Sequence, residues 1–251
     1  MIFAFLWYNG AKEAKVNKKL KPWLPTIIFG VLTIIFAVIY GVTDNSLKTV
    51  YIQLALCLFV PAIFPVLGII TKKPYPMALT IMACYLVVVG IYFAKALNFY
   101  AFIPEYDKFL HTGFGLIGSA MMYTLLMRWG GDKLSPAGVV IIVFLGTLGV
   151  GAIWEIIEYV GSIITGEDPQ RVLGILEKIM AVGNVQEAWK QGLNPLQDTI
   201  WDLIVTVIGS AVFLIFYIVD RIFGGKLCRK MFTISEPTEV EEKKPEEEEI
   251  K

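Results

Sequence analysis

The chain has few of the residues that build common metal, disulfide or nucleic-acid sites. It has one histidine, His111, and three cysteines, at positions 57, 84 and 228. A single histidine excludes a multi-histidine site, and cysteines so spaced match neither a disulfide framework nor a zinc motif. The formal net charge is zero and no basic face is present, so we expect no nucleic-acid partner. The sequence also lacks a nucleophile motif, a glycine-rich phosphate loop and a dinucleotide fingerprint.

Charged residues are also scarce in most of the chain. They make up 18% of the 251 residues, and eight Glu and three Lys of this group fall in 236–251. Hydrophobic residues make up 56% and the mean hydropathy is +0.65, which is more apolar than a soluble domain. The composition therefore predicts an all-α, polytopic membrane protein whose main partner is the lipid bilayer.

Six apolar stretches are long enough to form transmembrane helices, which need about 20 residues each. We predict six transmembrane helices in one bundle, over 23–42, 50–70, 76–94, 109–127, 137–164 and 200–223. Residues 1–22 form an N-terminal arm, 23–224 the membrane domain and 225–251 an acidic tail. Because a Glu-rich tail cannot bury apolar surface, we expect it to be disordered.

The distribution of Lys and Arg predicts the orientation, because cytoplasmic loops are enriched in both residues. With six crossings and the tail set aside, thirteen of these residues fall on the side of the N-terminal arm and six on the other. We therefore expect a multi-pass protein of the cell membrane with both termini cytoplasmic.

The long connection 165–197 contains two predicted amphipathic helices. Apolar residues recur at helical spacing over 171–180, and Asn184 followed by Glu187 resembles a capping box before a second helix. Such a hairpin is expected on the outer membrane surface. It is compatible with a lid over a site and with a connector packed on the bundle, and the connector is the more common case.

Ionisable residues occur in the last three predicted spans and not in the first three. They form three pairs whose members are three or four positions apart, so each pair shares one helical face. The predicted topology brings all three pairs to a similar depth, in the outer half of the bilayer. The pairs are Asp107 with His111, Glu155 with Glu158, and Asp198 with Asp202.

Such a cluster needs a partner that offsets its charge. An ionised side chain near the middle of a membrane costs about 2.5–3.5 kcal/mol, and five facing carboxylates also repel one another. They must be partly protonated, paired with a cation or bound to metal. We expect a divalent metal, Mg, Mn or Zn, with these candidate ligands: Asp107, His111, Glu155, Glu158, Asp198 and Asp202.

Simpler interpretations remain open for individual members. Asp107 and Asp198 stand at the starts of their spans, where either would serve as a helix N-cap. His111 alone is more often a hydrogen-bond partner between packed helices than a ligand. Glu155 and Glu158 lie within an apolar span, where capping does not account for them.

The three motifs resemble those of YjdF-type inner-membrane proteins and, more distantly, VanZ-like proteins. The resemblance covers roughly 106–211 and implies a polytopic membrane protein with a polar cluster, without implying an activity. Many VanZ-like proteins have Asn three residues before the final glycine, where this chain has Thr206. The matching residues are Tyr106, Asp107, Lys108, His111, Gly115, Glu155, Glu158, Asp198, Thr199, Asp202 and Gly209.

Three functions fit this pattern. The first is a metal-dependent, membrane-embedded enzyme acting on a lipid or polyprenyl phosphate at the outer leaflet, with Glu155, Glu158, Asp202 and Lys108 as candidate catalytic residues. In this enzyme, Lys108 or an interfacial Arg would hold the phosphate. The second is a proton- or cation-coupled transporter, for which inverted repeats would be expected. The third is a non-catalytic membrane component whose polar cluster specifies helix packing.

Overall fold

The computed structural model describes residues 23–43, 58–72, 75–166, 168 and 172–232, and every regular element within these ranges is helical. The all-α prediction is confirmed for this part of the chain. The helices are α1 (Leu24–Thr43), α2 (Ile63–Ile70), α3 (Met77–Val87), α4 (Phe99–Phe102), α5 (Tyr106–Arg128), α6 (Pro136–Thr165), α7 (Val172–Val182), α8 (Val185–Lys190), α9 (Gln197–Ile222) and α10 (Lys226–Phe232). A π-helix over Val88–Ala96 extends α3.

Four helical segments of the described residues are long and apolar enough to cross a membrane. They are Met77–Ala94, Tyr106–Arg128, Pro136–Ile164 and Gln197–Ile222. The first two predicted spans lie partly outside the described residues, and their described parts give shorter apolar helices, Leu24–Val38 and Val60–Ile70. The prediction of six spans is therefore not confirmed; by length and composition, the described residues contain these four candidate spans.

Helices α5 and α9 begin earlier than hydropathy predicted. The spans were expected to start near positions 109 and 200, and the helices start at Tyr106 and Gln197. Asp107 and Asp198 consequently lie inside the first turn, where a carboxylate is favoured by the positive end of the helix dipole. The N-cap interpretation of these two residues is wrong, since Glu105 and Leu196 occupy the cap positions.

The centre of the bundle is formed by α5, α6 and α9, which pack against one another. Two glycines allow the backbones of α5 and α9 to meet. A Cβ atom at Gly115 would lie 2.2 Å from the carbonyl oxygen of Thr206, and one at Gly209 would lie 2.0 Å from that of Thr112. Only glycine is compatible with such an approach, as expected for small residues between membrane helices.

The far end of this bundle is an aromatic core closed by α10. Asp220 of α9 caps α10, because its carboxylate accepts hydrogen bonds from the Leu227 and Cys228 amides at 3.0 Å each. Phe232 then packs on Tyr123 and Phe213. The segment predicted to be disordered from residue 225 therefore includes a helix, because tertiary packing orders 226–232, and the rest of that segment lies outside the described residues.

Between α6 and α9, helices α7 and α8 form a hairpin, in agreement with the two helices predicted for 165–197. Asn184 caps α8 as predicted, since its Oδ1 accepts a hydrogen bond from the Glu187 amide at 3.1 Å. Ile175 and Ile179 of α7 are buried together with Ala188 of α8. The hairpin thus has a small apolar core of its own.

Candidate membrane-embedded polar site

Lys108 occupies the centre of a cluster of carboxylates between α5 and α9. Its Nζ lies 2.5 Å from Asp198 Oδ1, 2.9 Å from Asp202 Oδ1 and 3.4 Å from Asp107 Oδ2. An ammonium group has three hydrogen-bond donors, and each has a carboxylate partner here. Lys108 is therefore fully engaged in joining the first two turns of α5 to those of α9.

His111 lies one turn further along α5 and faces acids of all three helices. Its Nε2 is 3.9 Å from Asp107 Oδ1 and 3.8 Å from Asp202 Oδ1, and its Nδ1 is 3.7 Å from Glu155 Oε1. These separations are too long for hydrogen bonds. The imidazole and the three carboxylates therefore surround a common space without closing it.

Three of these side chains could hold one metal ion. Asp107, His111 and Asp202 each offer a ligand atom, all three residues are buried, and the three atoms lie within 4.8 Å of one another. Ligand atoms about 2.0–2.2 Å from a shared ion are at most about 4.4 Å apart, so little movement is needed to reach a binding geometry. A donor set of two carboxylates and one imidazole suits Zn²⁺ or Mn²⁺ and accepts Mg²⁺.

Glu155 brings α6 into the site. It is buried, it approaches His111 as described, and it interacts with the side chain of Thr199 on α9. Asp198 is buried as well, with Lys108 as its closest cation. The site thus contains residues from α5, α6 and α9, at the end of the bundle where α5 and α9 begin.

Glu158 is the one predicted ligand without an ion pair to the described residues of this group, although it is close enough to interact electrostatically with Glu155, Asp107 and Asp202. Its Oε1 accepts a hydrogen bond from the Trp154 indole at 3.0 Å, within the same helix, and its side chain is half-buried. Three residues advance a helix by about 300°, so Glu155 points at His111 while Glu158 is turned toward the edge of the bundle.

Sequence reasoning missed a set of hydroxyl groups that continues inward from the acids. The Thr206 hydroxyl donates to the carbonyl oxygen of His111 at 3.4 Å. Deeper in the bundle, the Ser119 hydroxyl lies 2.8 Å from Ser210 Oγ and 3.1 Å from Thr147 Oγ1. Ser119 lies about two helical turns after His111, on the same face of α5. This spacing was the signal in the sequence that could have placed Ser119 in line with the site.

Tyr106 supports the site from the side of α3. Its hydroxyl donates to the Val89 carbonyl of the π-helix at 2.8 Å, and its ring packs against Phe99 and Tyr100. Backbone carbonyls in a π-helix are displaced from the regular α-helical pattern, and such segments are frequent at functional sites. This contact holds the first turn of α5, and with it Asp107 and Lys108, in place.

Comparison with known proteins gives one result. A family model described as a predicted membrane protein, DUF2238, matches residues 24–221, which includes every side chain of the site. No curated protein and no solved structure matches the chain. The match supports an uncharacterised membrane family and does not confirm the YjdF-type or VanZ-like resemblance. Since the model covers most of the sequence, the chain belongs to the DUF2238 family of predicted membrane proteins.

Proposed function

We propose that the protein is a membrane-embedded enzyme that holds a divalent metal with Asp107, His111 and Asp202 and acts on a lipid or polyprenyl phosphate. The observation that carries this proposal is the convergence of three buried ligand atoms within 4.8 Å of one another. We place the reaction at the outer leaflet of the cell membrane, following the Lys and Arg distribution, with both termini cytoplasmic.

The charge of the site supports a bound cation. Four carboxylates, those of Asp107, Glu155, Asp198 and Asp202, are buried there. Lys108 supplies one positive charge within salt-bridge distance, which leaves three negative charges if all four acids are ionised. Buried charges that lack partners are expensive, and a divalent cation would offset two of the three.

The residues of the site then have separate tasks. A bound divalent cation would polarise a phosphoryl oxygen or activate water. Glu155 approaches His111 from α6 without belonging to the ligand group, which suits a general base. Lys108 was a candidate for holding the substrate phosphate, but its three donors are occupied by Asp107, Asp198 and Asp202. We assign it the task of positioning Asp198 and Asp202.

A lipid substrate is favoured by the surroundings of the site. Phe109, Trp154 and Trp201 lie beside its acids in the sequence, and all three side chains are exposed on the surface of the bundle. Aromatic residues of this kind are typical of the membrane–water interface. A substrate with a phosphate head and an apolar tail would reach such a site from within the leaflet.

The metal content of the purified protein tests this proposal. We expect about one equivalent of Zn, Mn or Mg after incubation with each ion and removal of the excess, measured by mass spectrometry of the detergent-solubilised protein. Asp202→Asn and His111→Gln should lose it. Glu158→Gln is the matched control, because Glu158 lies on the same bundle outside the ligand group, and it should retain the metal. Folded wild-type protein that binds none of the three ions would refute the proposal.

A second candidate is a non-catalytic protein in which the cluster specifies helix packing. The ion pairs of Lys108 with Asp198 and Asp202 favour it, since both join α5 to α9. In that case, metal should be absent, and Asp202→Asn should lower thermal stability without changing the response to metal or chelator. The transporter hypothesis gains no such support, because the acids gather at one end of the described helices.

A further inference from the structure

The α7–α8 hairpin has a second apolar surface besides the one that holds it together. Leu173 is 63% exposed, Met180 is 70% exposed and Trp189 is 61% exposed, and Leu176 and Val185 are exposed as well. Exposed side chains of this size on both helices are unusual for a connector that packs on a bundle. We call these five residues the apolar face of the hairpin.

Helical geometry places this apolar face on one side of the hairpin. Each residue advances a helix by about 100°, so Leu173, Leu176 and Met180 fall within one narrow arc of α7. In α7, this exposed arc is rotated about the helix axis away from the buried arc of Ile175 and Ile179. In α8, Val185 and Trp189 are rotated away from the buried Ala188 in the same direction. In two antiparallel helices that contact through their buried arcs, both exposed arcs then point the same way.

The remaining surface of α7 and α8 is polar and nearly neutral. Glu177, Lys178, Glu187 and Lys190 are all exposed, and Lys190 Nζ lies 3.5 Å from Glu187 Oε2. Within α7 and α8 two acids and two bases cancel, and Asp168 at the start of α7 adds one negative charge, so the hairpin carries no strong charge of either sign. Its attraction is apolar, which is characteristic of helices that lie in the plane of a membrane interface.

We infer that the hairpin lies in the membrane interface at the end of the bundle that carries the polar site, with its apolar face inserted among the lipids. The neighbouring surface is already apolar, because Ile164 at the end of α6 and Ile200 and Trp201 at the start of α9 are exposed. The segments 166–171 and 191–196 that link the hairpin to these helices reach at most about 20 Å each. The hairpin therefore cannot leave the vicinity of the bilayer.

The position of the hairpin places lipids near the polar site. Helix α9 starts directly after it, and Asp198 is the second residue of that helix. Lipids held under the hairpin are consequently adjacent to the residues around Lys108. The inference depends on the membrane bundle and not on the bound metal or on catalysis.

The test compares two labels on α7. Met180→Cys and Lys178→Cys are each labelled with a maleimide fluorophore and reconstituted into vesicles of phosphatidylcholine, a lipid without net charge. Labelling of the unsubstituted protein gives the background that comes from the native cysteines. Quenching by brominated acyl chains and quenching by aqueous iodide are then measured for both labels.

We expect the Met180→Cys label to be quenched by the brominated lipid on the order of threefold more strongly than the Lys178→Cys label, with the reverse order for iodide, since the face inserts by about 5–10 Å. Equal iodide quenching of the two labels would show that the face lies in water. A Met180→Cys label shielded from both quenchers would show that protein, either another segment or a second copy, covers the face. Either result overturns the inference. Metal-free protein serves equally well, so a failure here is separable from a failure of the metal proposal.

Discussion

The two ends of the α5–α9 pair are stabilised by different interactions. At the polar end, Lys108 joins Asp198 and Asp202 across the two helices. At the aromatic end, Tyr123, Phe213 and Phe232 pack ring against ring, with centroids 5.9–6.2 Å apart. The rings at the aromatic end contact one another directly, whereas the polar end keeps separations of 3.7–3.9 Å around His111. The comparison indicates that ion pairs join α5 to α9 at the polar end, whereas ring contacts join them at the aromatic end.

The largest effect is expected when the polar end loses its cation. Lys108→Met leaves the buried carboxylates of Asp198 and Asp202 without their partner, and removing one member of a buried ion pair costs about 3–5 kcal/mol. The free energy of unfolding in detergent micelles measures this loss. Lys190→Met is the control, since its pair with Glu187 is exposed and is worth at most about 1 kcal/mol. Equal stability of the two variants would show that the ion pairs do not hold the polar end.

An intermediate effect is expected at the crossing that both ends share. Gly115→Ala places a methyl group 2.2 Å from the Thr206 carbonyl oxygen, and forcing apart a packed pair of helices costs about 1–3 kcal/mol. Gly113→Ala on the same helix meets nothing within 4 Å and should be neutral or slightly stabilising. Thermal unfolding of the two variants separates crowding from helix propensity. A Gly115→Ala protein that matches Gly113→Ala would contradict the close approach of α5 and α9.

The smallest effect is expected at the aromatic end and depends on pH. Burial, followed by the nearby Asp220 carboxylate, raises the pKa of the Cys228 thiol to about 12. An unfolded cysteine ionises near pH 8.5, so the thiol is neutral in both states below that pH and contributes no pH dependence. Above it, the unfolded state gains charge first and stability falls, by about 1 kcal/mol at pH 9.5.

The Cys228→Ala variant isolates this contribution. Its free energy of unfolding should fall less than that of the wild-type protein between pH 7.5 and 9.5, about 1 kcal/mol less. Parallel pH profiles for the two proteins would show that the thiol of Cys228 is accessible to water at this end of the bundle.

Much of the candidate site follows from helical spacing. Asp107 with His111 and Asp198 with Asp202 are four residues apart, and the structure turns both pairs toward one another. The same reasoning placed Glu158 beside Glu155, and the two acids do interact electrostatically, but only Glu155 lies within 4 Å of His111. A spacing of three residues leaves about 60° between two side chains, which is enough to separate a buried acid from one that bonds to Trp154 at the edge.

Other features had no clear signal in a single sequence. Lys108 was expected to be available for a phosphate. Its long side chain instead crosses from α5 to α9, where it pairs with Asp198, ninety positions later in the sequence. Helix α10 is short and basic and lies between a Gly224–Gly225 turn and a Glu-rich tail, so its composition resembles a linker. It is ordered because Asp220 caps it and Phe232 fills a space between Tyr123 and Phe213.

Local properties of the sequence by themselves determined that the chain is helical, that it belongs in a bilayer, and that its acids occur in pairs on helix faces. Each of these depends on the hydropathy and periodicity of neighbouring residues. The tertiary structure alone decided that Lys108 is shared by Asp107, Asp198 and Asp202, and that Glu155 joins His111 while Glu158 does not. Those choices depend on how each helix is rotated about its own axis, and for α5 and α9 that rotation is constrained by the contact of Gly115 and Gly209 with the opposite backbone.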